Sequence, residues 1–215
     1  MSYALPVTRK EAVLQQLRTE IVNGKLTPGT VLKDAEVAAR VGLSITPVRE
    51  AIAQLAAEGL IDVAPNRTRH VTHVTRKNAL DLIDVMALLN CAGFAWGVPH
   101  LTRVHLATLR RLYQEFAESL GNGDVITAAG VGAEFSSTVT GASGNRELQT
   151  HIDLVVARAL RVLALTMDSQ RWTIWLDGHR ETLELLETDN RAGAVDRYRQ
   201  TYADYRACVA DLPFD

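Results

Sequence analysis

Cysteine is almost absent, with only Cys91 and Cys208 in 215 residues. Two isolated thiols exclude a disulfide framework and a thiolate metal centre, and they suit small buried hydrophobes in a reducing compartment. Long apolar runs are missing as well. Stretches such as LVVARALRVLAL, Leu154 to Leu165, are broken by Arg158 and Arg161 before reaching the roughly 18 residues that span a bilayer. The opening MSYALPVTRKEAV carries no apolar core of an export signal. The expectation is a cytoplasmic protein with no membrane partner. Enzyme signatures are lacking too: there is no G-x-S-x-G, H-E-x-x-H, P-loop or Gly-rich dinucleotide fingerprint. Ser136 and Ser137 could be joined to His179 as a dyad on paper, but serine on a helix is far more often structural, and the reading is not an enzyme. No period of 20 to 50 residues repeats, and no segment is of low complexity.

Strong charge of one sign is absent. The net charge is -2 and the pI about 6.3, so bulk charge does not demand a nucleic-acid partner. Residues 1–75 carry nine Lys+Arg against seven Asp+Glu, leaving fourteen against eighteen for the rest. That slight asymmetry permits a DNA-facing N-terminal part.

What is present is helical apolar spacing, and 47% hydrophobic residues are enough for a packed core. Val13, Leu14, Leu17, Ile21 and Val22 predict a helix over residues 9–23, stopped by Gly24. A short helix follows with Val37, Ala38 and Val41, capped by Asp34 and ended by Gly42. Leu43 and Ser44 lead into TPVREAIAQLAAEGL, where Val48, Ala51, Ile52, Leu55 and Ala56 share one face. Ser44 or Thr46 suits the N-cap, and Pro47 is tolerated in the first turn. Two short helices joined around a glycine outline a helix-turn-helix. In LIDVAPNRTRHVTHV, β-branched residues flank a Pro65-Asn66 turn with Arg67 and Arg69 beside it, which predicts a hairpin with a basic tip. The expected fold is mainly α: a winged helix-turn-helix domain over residues 1–75, then six helices over residues 76–215 in an antiparallel all-α bundle.

The N-terminal part resembles the DNA-binding domain of the GntR family of bacterial transcription regulators. The resemblance is carried by GKLTPGTVL, DAEVAARVGLS, TPVREAIAQLAAEGLI and the wing VAPNRTRHV. The remainder is similar to the FadR-type, or FCD, effector-binding domain, with SGNRELQ (Ser143 to Gln149) as its clearest marker. Together they imply a homodimeric regulator, in sense a repressor, that binds a palindromic operator in double-stranded DNA and responds to a small-molecule effector. A dimer that binds DNA constitutively, its bundle serving only dimerisation, is the alternative. The recognition helix would meet base edges and phosphates with its N-terminal residues. The candidate DNA contacts are Lys33, Ser44, Ile45, Thr46 and Arg49, with Arg67, Thr68 and Arg69 on the wing. The bland reading of Arg49 is a solvated side chain paired with Glu50 or its neighbours. Ile45 stands where the family shows Arg, Ala35 where a second Arg is frequent, and Thr68 where Gly is common, so operator preference is expected to differ.

Many FCD domains hold a divalent metal through an Asp, a His four residues later, and two further His. Counting from SGN places Gly132 and Ser136 at the first two positions, His179 at the third and Thr201 at the fourth. One imidazole cannot hold a metal at useful affinity, so no metal or other cofactor is expected. The family's R-x-x-E pair falls on Ala87 and Asn90, which argues against the commonest acid effectors. Asn90, Phe94, Ser136, Arg158, Arg161, Trp175 and His179 are the candidate effector-pocket residues. His179 has two readings, a ligand-bonding group or a satisfied core histidine.

Overall fold

The computed structural model describes residues 8–167 and 171–214. The opening MSYALPV, part of the expected N-terminal domain, lies outside the described residues. Packing divides the chain into two compact units, Met1–Val74 and Thr75–Asp215.

In the first unit, α1 (Arg9–Val22) starts on a reciprocal cap. The Glu11 N–H donates to the Thr8 hydroxyl, and the Thr8 N–H donates to the Glu11 carboxylate at 2.8 Å. Val13, Leu14, Leu17 and Ile21 turn inward. The next helix, α2 (Asp34–Val41), ends at Gly42 with φ +68°, a left-handed turn that brings in α3 (Ile45–Ala57) after three residues. Val48, Ala51, Ile52 and Leu55 of α3 are buried as their spacing predicted, and the helix packs on α1, α2 and β1 (Ile61–Val63).

The capping expectations hold only in part. Lys33, not Asp34, is the N-cap of α2, and its side chain makes no cap bond. Ser44 is the N-cap of α3, also without a side-chain bond to the first turn. Asp34 has a stronger use for its carboxylate, described below.

The wing pairs β1 with β2 (Arg69–Val71) in antiparallel register, Ile61 opposite Val71 and Val63 opposite Arg69. The Thr68 N–H donates to the Asn66 side chain at 3.0 Å, and Arg67 adopts φ +62°, an uncommon backbone for a non-glycine residue. A third segment joins the hairpin. Val31 bridges His70, the Leu32 N–H donates to the Arg69 carbonyl at 2.8 Å, and the Val71 N–H donates to the Thr30 carbonyl at 2.9 Å. His73 lies past the end of β2 with its ring against Gly29.

The second unit consists of α4 (Arg76–Gly97), a 3-10 turn at Val98–His100, α5 (Arg103–Gly121), α6 (Val125–Gly141), α7 (Arg146–Thr166), α8 (Thr173–Glu187) and α9 (Arg191–Ala210). Thr75 caps α4 by accepting the Asn78 N–H, so the helix begins at Arg76. Around α4 pack α6, α7 and α9. By length and composition alone, Arg76–His100 would be apolar enough to cross a bilayer. Its buried face of Ala79, Ile83, Met86, Gly93 and Phe94 instead makes it a core helix of the bundle. The backbones of α4 and α6 touch: a Cβ on Gly97 would overlap the Val139 carbonyl oxygen, and one on Gly93 would lie 2.9 Å from Thr140 Cγ2. Only glycine permits that approach. Cys91 and Cys208 are half-buried rather than buried as expected, and desolvation pushes the Cys91 thiol up to about 11.

Candidate functional site

The first unit gathers polar groups at the N-terminal end of α3. Ser44, Ile45, Thr46 and Arg49 are all exposed there, and the Ser44 hydroxyl makes no cap bond to its own helix. At an uncapped helix start, free N–H groups and the positive end of the helix dipole both favour a phosphate oxygen. Arg49 is 64% exposed, yet its Nε donates to Asp34 Oδ2 at 2.9 Å, so its local partner is not Glu50. Arg69 of β2 donates to the other oxygen of the same carboxylate. Asp34 therefore ties the recognition helix to the wing strand. Burial pushes this carboxyl up, but the hydrogen bonds and charges of Arg69 and Arg49 together outweigh it and hold it below the ordinary carboxylate range. Arg67 stands exposed at the wing tip, with Thr68 half-buried beside it. Lys33 is exposed and bonds Glu36 one turn away at 2.7 Å.

The second unit encloses a cavity of about 280 Å³ to which all six of its α-helices contribute. Met86 and Asn90 come from α4, Phe116 from α5, Gly132 and Ser136 from α6, Ile152 and Val156 from α7, Trp175 and His179 from α8, and Tyr202 from α9. Trp172, just ahead of α8, completes the wall. His179 is 2% exposed, stacked on Phe135 at 4.4 Å and edge-on to Phe116 at 5.3 Å. Burial among these rings lowers its pKa to about 3, so the imidazole is neutral. Neither ring nitrogen has a hydrogen-bond partner among the described residues, and the same holds for the indole nitrogens of Trp172 and Trp175. His179 is thus a core histidine that is not satisfied.

Asn90, Ser136, Trp175 and His179 of the expected pocket residues line this cavity, whereas Phe94, Arg158 and Arg161 do not. Phe94 lies one turn further along α4 and is stacked on Tyr198 at 4.0 Å. On α7 the lining runs through Gln149, Ile152, Val156, Leu160 and Leu163, and at 100° per residue Arg158 and Arg161 fall on other faces. Trp172 and the Phe116–Phe135 clasp around His179 were missed. Two tryptophans three apart at a helix start, in a chain with three in all, were the available signal.

The profile of bacterial regulatory proteins of the gntR family matches residues 9–71, and that of the FCD domain matches residues 81–204. The chain belongs to the GntR family, FCD subfamily. It is 25% identical over 207 residues to the gluconate operon transcriptional repressor of Bacillus subtilis, covering 93% of this chain and 84% of the relative. The HTH-type transcriptional regulator McbR of Escherichia coli is 30% identical over 113 residues, 53% of this chain and 51% of the relative. A solved structure of E. coli McbR/YncC superposes with a TM-score of 0.79 at 23% identity, covering 94% of this chain and 97% of that one. As a GntR/FCD protein it is a DNA-binding transcriptional regulator and not an enzyme.

The GntR/FCD assignment also allows the four metal-ligand positions to be tested. They do converge: a Cβ on Gly132 would lie 3.5 Å from the His179 ring, and Thr201 packs against Gly178. The donor set does not fit a divalent ion. Gly132 has no side chain, and Ser136 is tied up, accepting from the Tyr198 hydroxyl at 2.8 Å and donating to the Gly132 carbonyl. Thr201 donates to the Arg197 carbonyl at 3.1 Å, leaving one imidazole as the sole strong ligand of the four.

Proposed function

We propose that this regulator is a homodimeric repressor that presents two copies of α3 to a pseudo-palindromic operator and changes its DNA affinity when a small metabolite enters the bundle cavity. The observation that carries the DNA half is the exposed group Ser44, Ile45, Thr46 and Arg49 at the uncapped start of α3, within a matched GntR domain. In this reading Arg49 exchanges Asp34 for a base edge or phosphate, and Ser44 and Thr46 bond phosphate. Arg67, Thr68, Arg69 and Lys33 meet the flanking backbone, and Ile45 offers apolar contact to a thymine methyl. Half-sites separated by whole helical turns suit a two-fold dimer. Acting on a bacterial chromosome, the protein would work in the cytoplasm.

Support for effector control comes from the bundle cavity with its buried ring nitrogens, unpartnered among the described residues. An effector acts by binding one DNA-affinity state better than the other. The missing metal ligands at Gly132, Ser136 and Thr201 favour a second reading, a constitutive DNA-binding dimer. A bundle kept only for dimerisation has no need of such a cavity.

The test is fluorescence anisotropy with a duplex that the protein itself selects from a random library. Arg49→Ala should weaken binding at least tenfold and flatten the salt dependence by about one unit of slope if the contact is to phosphate. Equal affinity would remove Arg49 from the interface. Light scattering of the free protein at the mass of one chain would remove the dimer.

A further inference from the structure

The cavity's chemistry differs from that of a carboxylate site. Among the described residues that line it there is no lysine or arginine. The charged groups among the described lining residues are Glu134 and Asp153, both acidic and both exposed. An anion passing them would meet like charge and then lose its hydration without a counter-ion, at a cost of several kcal/mol or more. The rest of the interior is mostly apolar and aromatic, with Met86, Phe116, Ile152, Leu160, Trp172 and Trp175 prominent.

Three of its ring nitrogen groups stand apart from the other polar lining residues, Asn90, Ser136, Ser137, Gln149 and Tyr202. Trp172 is 3% exposed, Trp175 7% and His179 2%, and their ring nitrogens are buried without a protein partner among the described residues. Indole N–H groups only donate, and a neutral imidazole offers one donor and one acceptor. Buried donors of this kind call for an acceptor. A cationic ligand would gain from the aromatic rings and the acidic residues, but an ammonium brings only donors and would leave both indoles unmatched.

We propose that this cavity binds, without a metal, an uncharged and largely apolar or aromatic molecule whose carbonyl or ether oxygen accepts from one or two of the buried N–H groups of Trp172, Trp175 and His179. The proposal rests on the effector-responsive reading given above and specifies its ligand class. At about 280 Å³ the space sits at the lower end of small-molecule sites, roughly 300–1,000 Å³, which limits the ligand to about the size of a substituted single ring.

The experiment uses the full chain and three molecules of one skeleton: 4-tert-butylbenzamide, 4-tert-butylbenzoate and 4-tert-butylbenzylamine. Each is titrated by calorimetry with EDTA and again with added zinc, and then added to the protein on its selected DNA duplex. The amide should bind at least tenfold more tightly than the benzoate and the amine, equally with EDTA or zinc. Replacing both indole donors, Trp172→Phe with Trp175→Phe, should weaken the amide at least tenfold, and the single variant Trp175→Phe serves if the double one does not fold. Tighter binding of benzoate or amine, a requirement for zinc, or no binding of the amide at millimolar concentration each overturns the proposal. The DNA arm separates the two levels. Amide binding with no change in DNA affinity keeps the ligand class and refutes effector control, whereas zinc-dependent benzoate binding that shifts DNA affinity does the reverse.

Discussion

Adding one carbon at Gly97 should have the opposite effect from adding it at Gly130, although both are glycines within helices. At Gly130, exposed on α6, a Cβ would meet nothing within 4 Å, so Gly130→Ala should stabilise the bundle by about 0.5–1 kcal/mol through helix propensity alone. At Gly97 the same methyl would overlap the Val139 carbonyl oxygen and approach the Ser143 amide nitrogen at 3.4 Å. Backbone atoms cannot swing aside as a side chain does, so α4 and α6 must separate. Overpacking of this kind costs about 1–3 kcal/mol, here at the upper end, against a propensity gain of up to about 1 kcal/mol. The expected net loss is about 2 kcal/mol, and the two variants should differ by about 3 kcal/mol. Urea unfolding followed by tryptophan emission isolates the relevant unit, because Trp96, Trp172 and Trp175 all lie in Thr75–Asp215. Gly97→Ala unfolding at the same urea concentration as the native chain would show that α4 and α6 do not touch through their backbones. The variant also bears on function, since α4 and α6 both wall the cavity.

Three further outcomes are expected. Asp34 is held below its unfolded value of about 3.9, so its stabilisation is in full force above that pH and fades as pH falls through the lower folded value. Asp34→Asn should therefore flatten the acid limb of the N-terminal unit's unfolding by circular dichroism, costing about 1 kcal/mol near neutrality because the Arg49 half of the bridge is largely solvated; an unchanged acid limb would count against the bridge. Ser44→Ala should leave thermal stability within about 0.5 kcal/mol, unlike an ordinary N-cap loss of about 1 kcal/mol, while weakening DNA binding; a large fall in melting temperature would mean that Ser44 does cap α3. Cys91, with its thiol raised to about 11, should alkylate at pH 8 far more slowly in the folded protein than in urea, as read by peptide mass, and equal rates would contradict its burial.

The local elements were legible because their signals are local. The stripe Val48, Ala51, Ile52 and Leu55 marked α3, Gly42 marked the turn before it, and Pro65-Asn66 marked the wing. Each depends on periodicity or on a backbone angle that few residues adopt, and both can be read from neighbours in the chain. The expectation that failed most instructively was Asp34. Its position favoured a cap, yet the fold brings Arg69 from 35 residues away to its carboxylate, and two charge-assisted bonds displaced one cap.

Sequence alone determined the order of helices and wing and the resemblance to the family, because each follows from residue identity at a counted position. Tertiary structure decided which pocket candidates share a wall. Arg158 and Arg161 were plausible by chemistry, but the rotation of α7 takes them off the lining face, while Trp172 enters it from the N-cap of α8. Whether His179 was satisfied also depended on Phe116, Phe135 and Trp175 surrounding a ring that none of them can hydrogen-bond through a side-chain acceptor. Chain spacing encodes which face a residue occupies, and only packing decides what that face meets.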